Sequence, residues 1–123
     1  MIRLIAVVIA LVGFSSPAVA QDPVKVDPAH HKFELENAQV RVLRITLDPG
    51  AKTPVHEHPA GVDTFLTDAK LRVSPVGGKP NETPRKAKDV LAIEATQHTA
   101  ENLGSARVEL IMVELKAAPG APR

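Results

Sequence analysis

The chain of 123 residues contains no cysteine, no tryptophan and no tyrosine. Without cysteine there is no disulfide, no thiolate nucleophile and no sulfur ligand for a metal ion. A disulfide-free domain of this size depends on its hydrophobic core for stability. Three phenylalanines and a net charge of +1 provide neither the stacking rings nor the basic surface that nucleic-acid binding uses. We therefore expect no nucleic-acid partner.

The first twenty residues have the pattern of a cleaved signal peptide. Arg3 precedes an apolar run of eleven residues, 4–14, and Ala18-Val19-Ala20 supplies the small-x-small end that signal peptidase reads. Eleven apolar residues are too few for the ~20 needed to cross a bilayer. The sequence thus predicts a signal peptide at residues 1–20, export to the periplasm or the medium, and no membrane attachment after cleavage.

The remaining residues suit a single all-β domain, because short β-rich runs alternate with turn signals. VRVLRITL, residues 40–47, is rich in β-branched side chains and ends at the turn Asp48-Pro49-Gly50. VELIMVEL, residues 108–115, has apolar side chains at both parities, as in a strand with two buried faces. No segment predicts a helix. The predicted divisions are an N-terminal arm with the first strand (21–39), a barrel (40–116) and a flexible tail (117–123).

Two histidines, His56 and His58, lie one residue apart in the stretch GAKTPVHEHPAGVD. Alternate residues of a strand face the same side, so the two imidazoles form a partial chelate for Zn, Fe, Mn, Ni or Cu. His98, directly after an apolar strand, is the candidate for a third ligand. The alternative is a pair of polar residues on a half-exposed strand. His30 and His31 lie near Pro28, in a segment that we expect to be solvated.

This spacing resembles the two sequence motifs of the cupin superfamily. The first motif matches at Gly50, His56 and His58, with Asp63 where the family has Glu, and the second matches at His98 and Asn102. The resemblance implies a double-stranded β-helix (a jelly-roll barrel) holding a divalent transition metal through His56, His58, His98 and Asp63. Simple strand parity turns Asp63 away from the histidines unless the break at residues 59–61 resets the register.

Three functions remain open from the sequence. The first is an exported metal-dependent enzyme with oxygenase, isomerase or hydrolytic chemistry on a small oxygenated molecule. The second is a non-enzymatic module that binds a metal or a small ligand, and the third is a metal-free structural barrel. Glu101 is either an acid/base group or a turn cap, and Asn102 and Gly50 are expected to support loops. By analogy with small cupins we expect a homodimer, and we expect the basic connection 75–88 to be solvated.

Overall fold

Eight strands and one short helix make up residues 21–117, the part of the chain that this computed structural model describes. They are α1 (Pro23–Val26), β1 (His31–Glu36), β2 (Val40–Leu47), β3 (His56–His58), β4 (Gly61–Phe65), β5 (Leu71–Pro75), β6 (Val90–Ile93), β7 (Thr96–Asn102) and β8 (Val108–Leu115). The predicted signal peptide and residues 118–123 of the predicted tail lie outside the described residues. Within residues 21–117, no helix has the length and apolar character needed to cross a membrane.

The strands form two antiparallel sheets, which confirms the all-β prediction. The larger sheet has the order β1-β2-β8-β4-β6 and the smaller one β3-β7-β5. The two longest strands, β2 and β8, pair along their whole length, from Val40 opposite Leu115 to Leu47 opposite Val108. These are the two runs with the strongest β pattern in the sequence, and they form the centre of the larger sheet.

The hydrophobic core lies on the inner face of the larger sheet. Alternate residues of β2 and β8 point to this face, as the period of two requires. The buried apolar residues are Leu43, Ile45, Leu47, Phe65, Ala69, Val108, Leu110 and Met112. Ile111 and Val113, on the outer face of β8, are only half-buried. We predicted that both faces of this strand are buried, and this is correct only for the inner face.

The helix α1 corrects the prediction that no segment of the chain is helical. Asp22 caps the helix, because its side chain accepts a hydrogen bond of 3.0 Å from the backbone N–H of Val24. Pro23 occupies the first turn, where a missing N–H costs nothing, and is buried. The helix spans one turn only, so no apolar period was available to reveal it in the sequence.

Candidate metal centre

The pairing of β3 with β7 brings together the three predicted histidines. His56 lies directly opposite His98 in the ladder, and residues opposite one another point to the same face. Their Nε2 atoms are 3.1 Å apart. The ring centroid of His58 is 4.7 Å from that of His56 and 5.4 Å from that of His98. Backbone ladder bonds therefore hold imidazoles from two distant segments against each other.

A fourth imidazole, from His31, joins this group. His31 begins β1 opposite Ile45, whose side chain is in the core, and it is only 2% exposed. Its ring centroid lies 4.6 Å from that of His56 and 5.7 Å from that of His58. Within residues 21–117, one ring nitrogen from each of these three histidines lies within 4.8 Å of the others. The prediction that His31 is solvated is wrong.

The start of the first strand, which the sequence placed only within residues 21–39, explains this error: β1 begins at His31 itself. Apolar and charged side chains alternate in HKFELE, residues 31–36, which is typical of a strand. Phe33 and Leu35 nevertheless are about half exposed, although they alternate with the charged residues in the same way as His31. His30, just before the strand, remains about one-quarter exposed. The alternation therefore indicates a strand but does not show that its first residue is buried.

Two of the buried imidazoles are fixed through their Nδ1 atoms by local acceptors. Nδ1 of His56 lies 2.9 Å from the carbonyl oxygen of Pro54. Nδ1 of His31 lies 3.1 Å from a carboxylate oxygen of Asp27 and 3.3 Å from its carbonyl oxygen. Because these partners only accept, each Nδ1 carries the proton and donates it. The Nε2 atom of each ring then keeps its lone pair for a ligand.

His58 is fixed in the same way by a buried chain of charges. Its Nδ1 donates to Oε2 of Glu114 at 2.8 Å, and the same carboxylate accepts from Nε of Arg41 at 2.7 Å. Arg41 also donates to both carboxylate oxygens of Asp22. Burial opposes ionisation of Glu114, but the hydrogen bonds from His58 and Arg41 outweigh it and lower the pKa of the carboxyl group. Neither Glu114 nor Arg41 was predicted from the sequence.

Burial keeps the imidazoles neutral. Desolvation, reinforced by the neighbouring histidines, lowers the pKa of His98 to about 3 and that of His31 to about 4. Desolvation also lowers the pKa of His56. The unprotonated form is the one that binds a metal, so at neutral pH these rings need lose no proton to become ligands.

Asp63 also faces this interior. It lies opposite Met112 in the ladder, and its Oδ1 atom is buried without a hydrogen-bond partner in the described part of the chain. Burial raises the pKa of its carboxyl group to about 6. Strand parity does not carry over from His58, because the chain passes from the smaller sheet to the larger one before Gly61. The break at residues 59–61 thus resets the register.

The histidines border a cavity of about 320 Å³ between the two sheets. Its walls are mainly apolar, with a few polar groups besides the imidazoles, as in most small-molecule sites. The apolar lining includes Ile45, Leu47, Phe65, Leu71, Val73, Leu91, Ile93, Leu110 and Met112. A ligand in this cavity would contact apolar side chains on several sides and the imidazoles on one side.

Comparison with known proteins identifies the fold. No protein-family model and no curated protein matches the sequence. A cupin domain from Bordetella pertussis Tohama I is similar at a TM-score of 0.65 and 20% identity, over 71% of this chain and 92% of that one. An RmlC-like cupin with a double-stranded β-helix from Methanocaldococcus jannaschii matches at a TM-score of 0.56 and 14% identity, over 69% and 77%. The chain has the cupin fold. This confirms the resemblance seen in the sequence.

The side chains of this site fit a divalent transition metal. Metal–nitrogen bonds of ~2.1 Å at right angles separate two ligand atoms by ~3.0 Å, close to the 3.1 Å between the Nε2 atoms of His56 and His98. Fixed Nδ1 protons and the orphaned Oδ1 of Asp63 are two further signs of a ligand site. Imidazole and carboxylate groups suit Zn, Fe, Mn, Ni and Cu, and do not select among them.

The remaining predicted residues lie away from the imidazoles of this site. Asn102 is buried and donates to the carbonyl oxygens of Leu47 and Ala106, both at 2.9 Å. Gly50, with a φ of +78°, donates its N–H to the carbonyl oxygen of Asn102. Glu101 has the opposite parity to His98 and accepts from Arg72 outside the cavity at 3.4 Å. Glu101 is therefore not placed to exchange a proton with a ligand in the cavity.

Proposed function

We propose that this protein binds one divalent transition metal through His56, His58 and His98, with His31 and Asp63 completing its surroundings. We further propose that the loaded site acts on a small oxygenated molecule in the cavity. The observation that carries the proposal is the convergence of buried His56 and His58, whose Nδ1 atoms are fixed by acceptors and whose Nε2 atoms are therefore available, with half-buried His98, whose Nε2 lies beside that of His56. A buried imidazole cluster with no ligand role would be a costly way to fill a core.

The cavity supports a reaction as well as binding. A bound divalent ion supplies Lewis-acid activation of a ligand oxygen and lowers the pKa of coordinated water. Asp63 contributes an unpartnered carboxyl oxygen on the cavity wall, which suits it to take a proton from a bound molecule and return it. The apolar walls exclude bulk water from this exchange.

Elemental analysis of protein purified without chelator or a metal-affinity column tests the metal site. We expect about one equivalent of a transition metal per chain. His56→Ala, His58→Ala and His98→Ala should each lower the bound metal to a small fraction, whereas His30→Ala, the partly exposed neighbour, should retain it. Folded wild-type protein that neither contains nor takes up a stoichiometric metal would overturn the proposal.

Turnover separates an enzyme from a binding module. The metal-loaded protein is incubated with a small-molecule extract of its source cells, and consumption is followed by mass spectrometry. Catalysis predicts loss of a compound with wild type, and no loss with Asp63→Asn or His98→Ala. A compound that is retained by the protein and recovered unchanged would support the binding module instead.

We also propose, from residues 1–20, that the protein acts after export, and that it forms a homodimer. The apolar signal pattern supports the first proposal. N-terminal sequencing of protein from the periplasm or the medium should begin at Gln21. Light scattering of purified protein tests the second proposal, and a monomeric mass would contradict it.

A further inference from the structure

A short extended segment borders the cavity beside β5. Val73 exchanges two backbone hydrogen bonds of 2.8 Å with Asn81, and Ala69 exchanges bonds of 3.0 and 2.9 Å with Arg85. Both bridges are antiparallel and have the same register. Residues 81–85 therefore extend the smaller sheet at its β5 edge. They belong to the connection 75–88 that we expected to be solvated, and of the five only Arg85 is half-buried.

This register turns three polar side chains toward the cavity. Bridge partners point to the same face, and alternate residues of an extended segment share a face. Asn81, Thr83 and Arg85 all line the cavity, as does Val73. Glu82, between them, faces outward and accepts from Nε of Arg72 at 2.7 Å. An amide, a hydroxyl and a guanidinium thus form a row along one border of a mainly apolar space.

Arg85 differs from the other arginines of residues 21–117 in having no carboxylate within 4.0 Å. The four others, Arg41, Arg44, Arg72 and Arg107, each form at least one ion pair. Arg85 is half-buried rather than freely solvated. A guanidinium with five N–H donors in a planar fork is suited to bind a carboxylate through two hydrogen bonds.

Arg85 and the imidazoles lie at opposite ends of the same sheet. Arg85 lies opposite Ala69 on one side of the β5 segment, and His98 lies opposite Pro75 on its other side, six residues further along the chain. Roughly 20 Å of strand separates the two positions, and the side chains span part of it, which leaves a ligand length on the order of 10 Å. The space between is apolar, with Leu71 and Val73 in its wall.

From this placement we propose that Arg85, assisted by Asn81 and Thr83, is a carboxylate subsite that selects the substrate. The ligand is a small amphiphilic acid: its carboxylate binds Arg85, its aliphatic body lies on the apolar wall, and an oxygen function at its far end meets the imidazoles. The last contact rests on the metal site proposed above. The carboxylate subsite does not depend on the metal.

Calorimetry with metal-free, chelator-treated protein tests the subsite on its own, with octanoate and octanamide as probes. Octanoate should bind at least about tenfold more tightly than octanamide, because a charged hydrogen-bonded pair is lost in the amide. Arg85→Gln should abolish this preference, and Arg85→Lys should retain part of it. Arg72→Gln, which alters an outward-facing arginine of the adjacent strand, should leave the preference unchanged.

Equal binding of the two probes to wild type, no octanoate binding, or an unaltered preference in folded Arg85→Gln would each overturn the subsite. Thermal melting checks that the variant folds, and the comparison of probes on wild type stands without it. A second series uses zinc-loaded protein and suberate, which carries a carboxylate at each end. Zinc should strengthen suberate binding at least about tenfold more than octanoate binding. His98→Ala should remove only this gain, so failure of the metal site and failure of the Arg85 subsite give different results.

Discussion

Replacement of Glu114 by glutamine tests whether the buried charge chain sets the orientation of His58. The carboxylate accepts from two donors, His58 Nδ1 at 2.8 Å and Arg41 Nε at 2.7 Å. A glutamine of the same shape has a single acceptor oxygen, and its NH₂ group must face one of those donors. Either the contact with Arg41 is lost, or His58 moves its proton to Nε2 and cannot bind a metal through that atom.

The expected effect of Glu114→Gln is a 10- to 100-fold weaker metal affinity, the usual cost of removing the partner that orients a ligating histidine. This corresponds to about 1.4 to 2.8 kcal/mol. Loss of a buried charged hydrogen bond should also lower the free energy of unfolding of the metal-free protein by about 1 to 3 kcal/mol. Competition with a chromophoric chelator measures the affinity, and urea denaturation measures the stability.

The matched control is Glu109→Gln, which alters a carboxylate of the same strand. Glu109 is paired with Arg44 on the outer face and is one-third exposed, so its replacement should change metal affinity less than twofold. Metal affinity of folded Glu114→Gln within twofold of wild type would refute the view that this carboxylate orients His58.

Three further predictions concern stability. In metal-free protein, His31 and His98 have folded-state pKa values of about 4 and about 3, below the unfolded value of 6.5. Their contribution to the free energy of unfolding is therefore complete above pH 6.5 and is lost as the pH falls below that value. The raised pKa of Asp63, about 6, acts in the opposite direction between pH 6 and 4. From pH 7 to pH 5 the free energy of unfolding, measured by urea titration, should therefore fall by a net amount on the order of 2 kcal/mol. An unchanged urea midpoint would contradict the burial of neutral imidazoles. Gly61→Ala should prevent folding or strongly lower the melting temperature, since its added Cβ would lie 2.1 Å from a backbone oxygen across the ladder; a wild-type melting curve would refute this close approach. Leu43→Ala should lower the free energy of unfolding by 2 to 5 kcal/mol, as expected for a fully buried leucine, and a loss below about 1 kcal/mol would mean that the site is not closely packed.

The sequence predicted the parts of the fold that depend on local pattern. Strands β2 and β8 follow from dense β-branched runs, and their pairing places both at the centre of one sheet. The placement of His56 and His58 on one face follows from parity alone. His98 was a candidate from its place after an apolar strand, and the motif resemblance supported it, but nothing in its own segment says which residue lies across the ladder. That information is in the pairing, which joins residues 42 positions apart.

The residues that the sequence reading missed depend on long-range burial. His31 is buried because β1 pairs with β2, and neighbouring prolines had suggested a solvated segment. Glu114 has the parity of Val108 and Met112 in β8, so the period of two alone would have placed this carboxylate inside. A carboxylate inside a barrel conflicts with ordinary burial preferences unless it has buried partners. Those partners, His58 and Arg41, come from other strands and are visible only in the fold.

The facing positions of His56 and His98 have a consequence for how such a protein can diversify. The backbone hydrogen bonds between β3 and β7 set the spacing of these two rings, which does not depend on a loop. The segment that carries Arg85 belongs to a separate edge of the same sheet. Exchanges in residues 77–88 would therefore change this border of the cavity while leaving the paired imidazoles in place. One inherited centre can in this way acquire new ligands through changes confined to a peripheral segment.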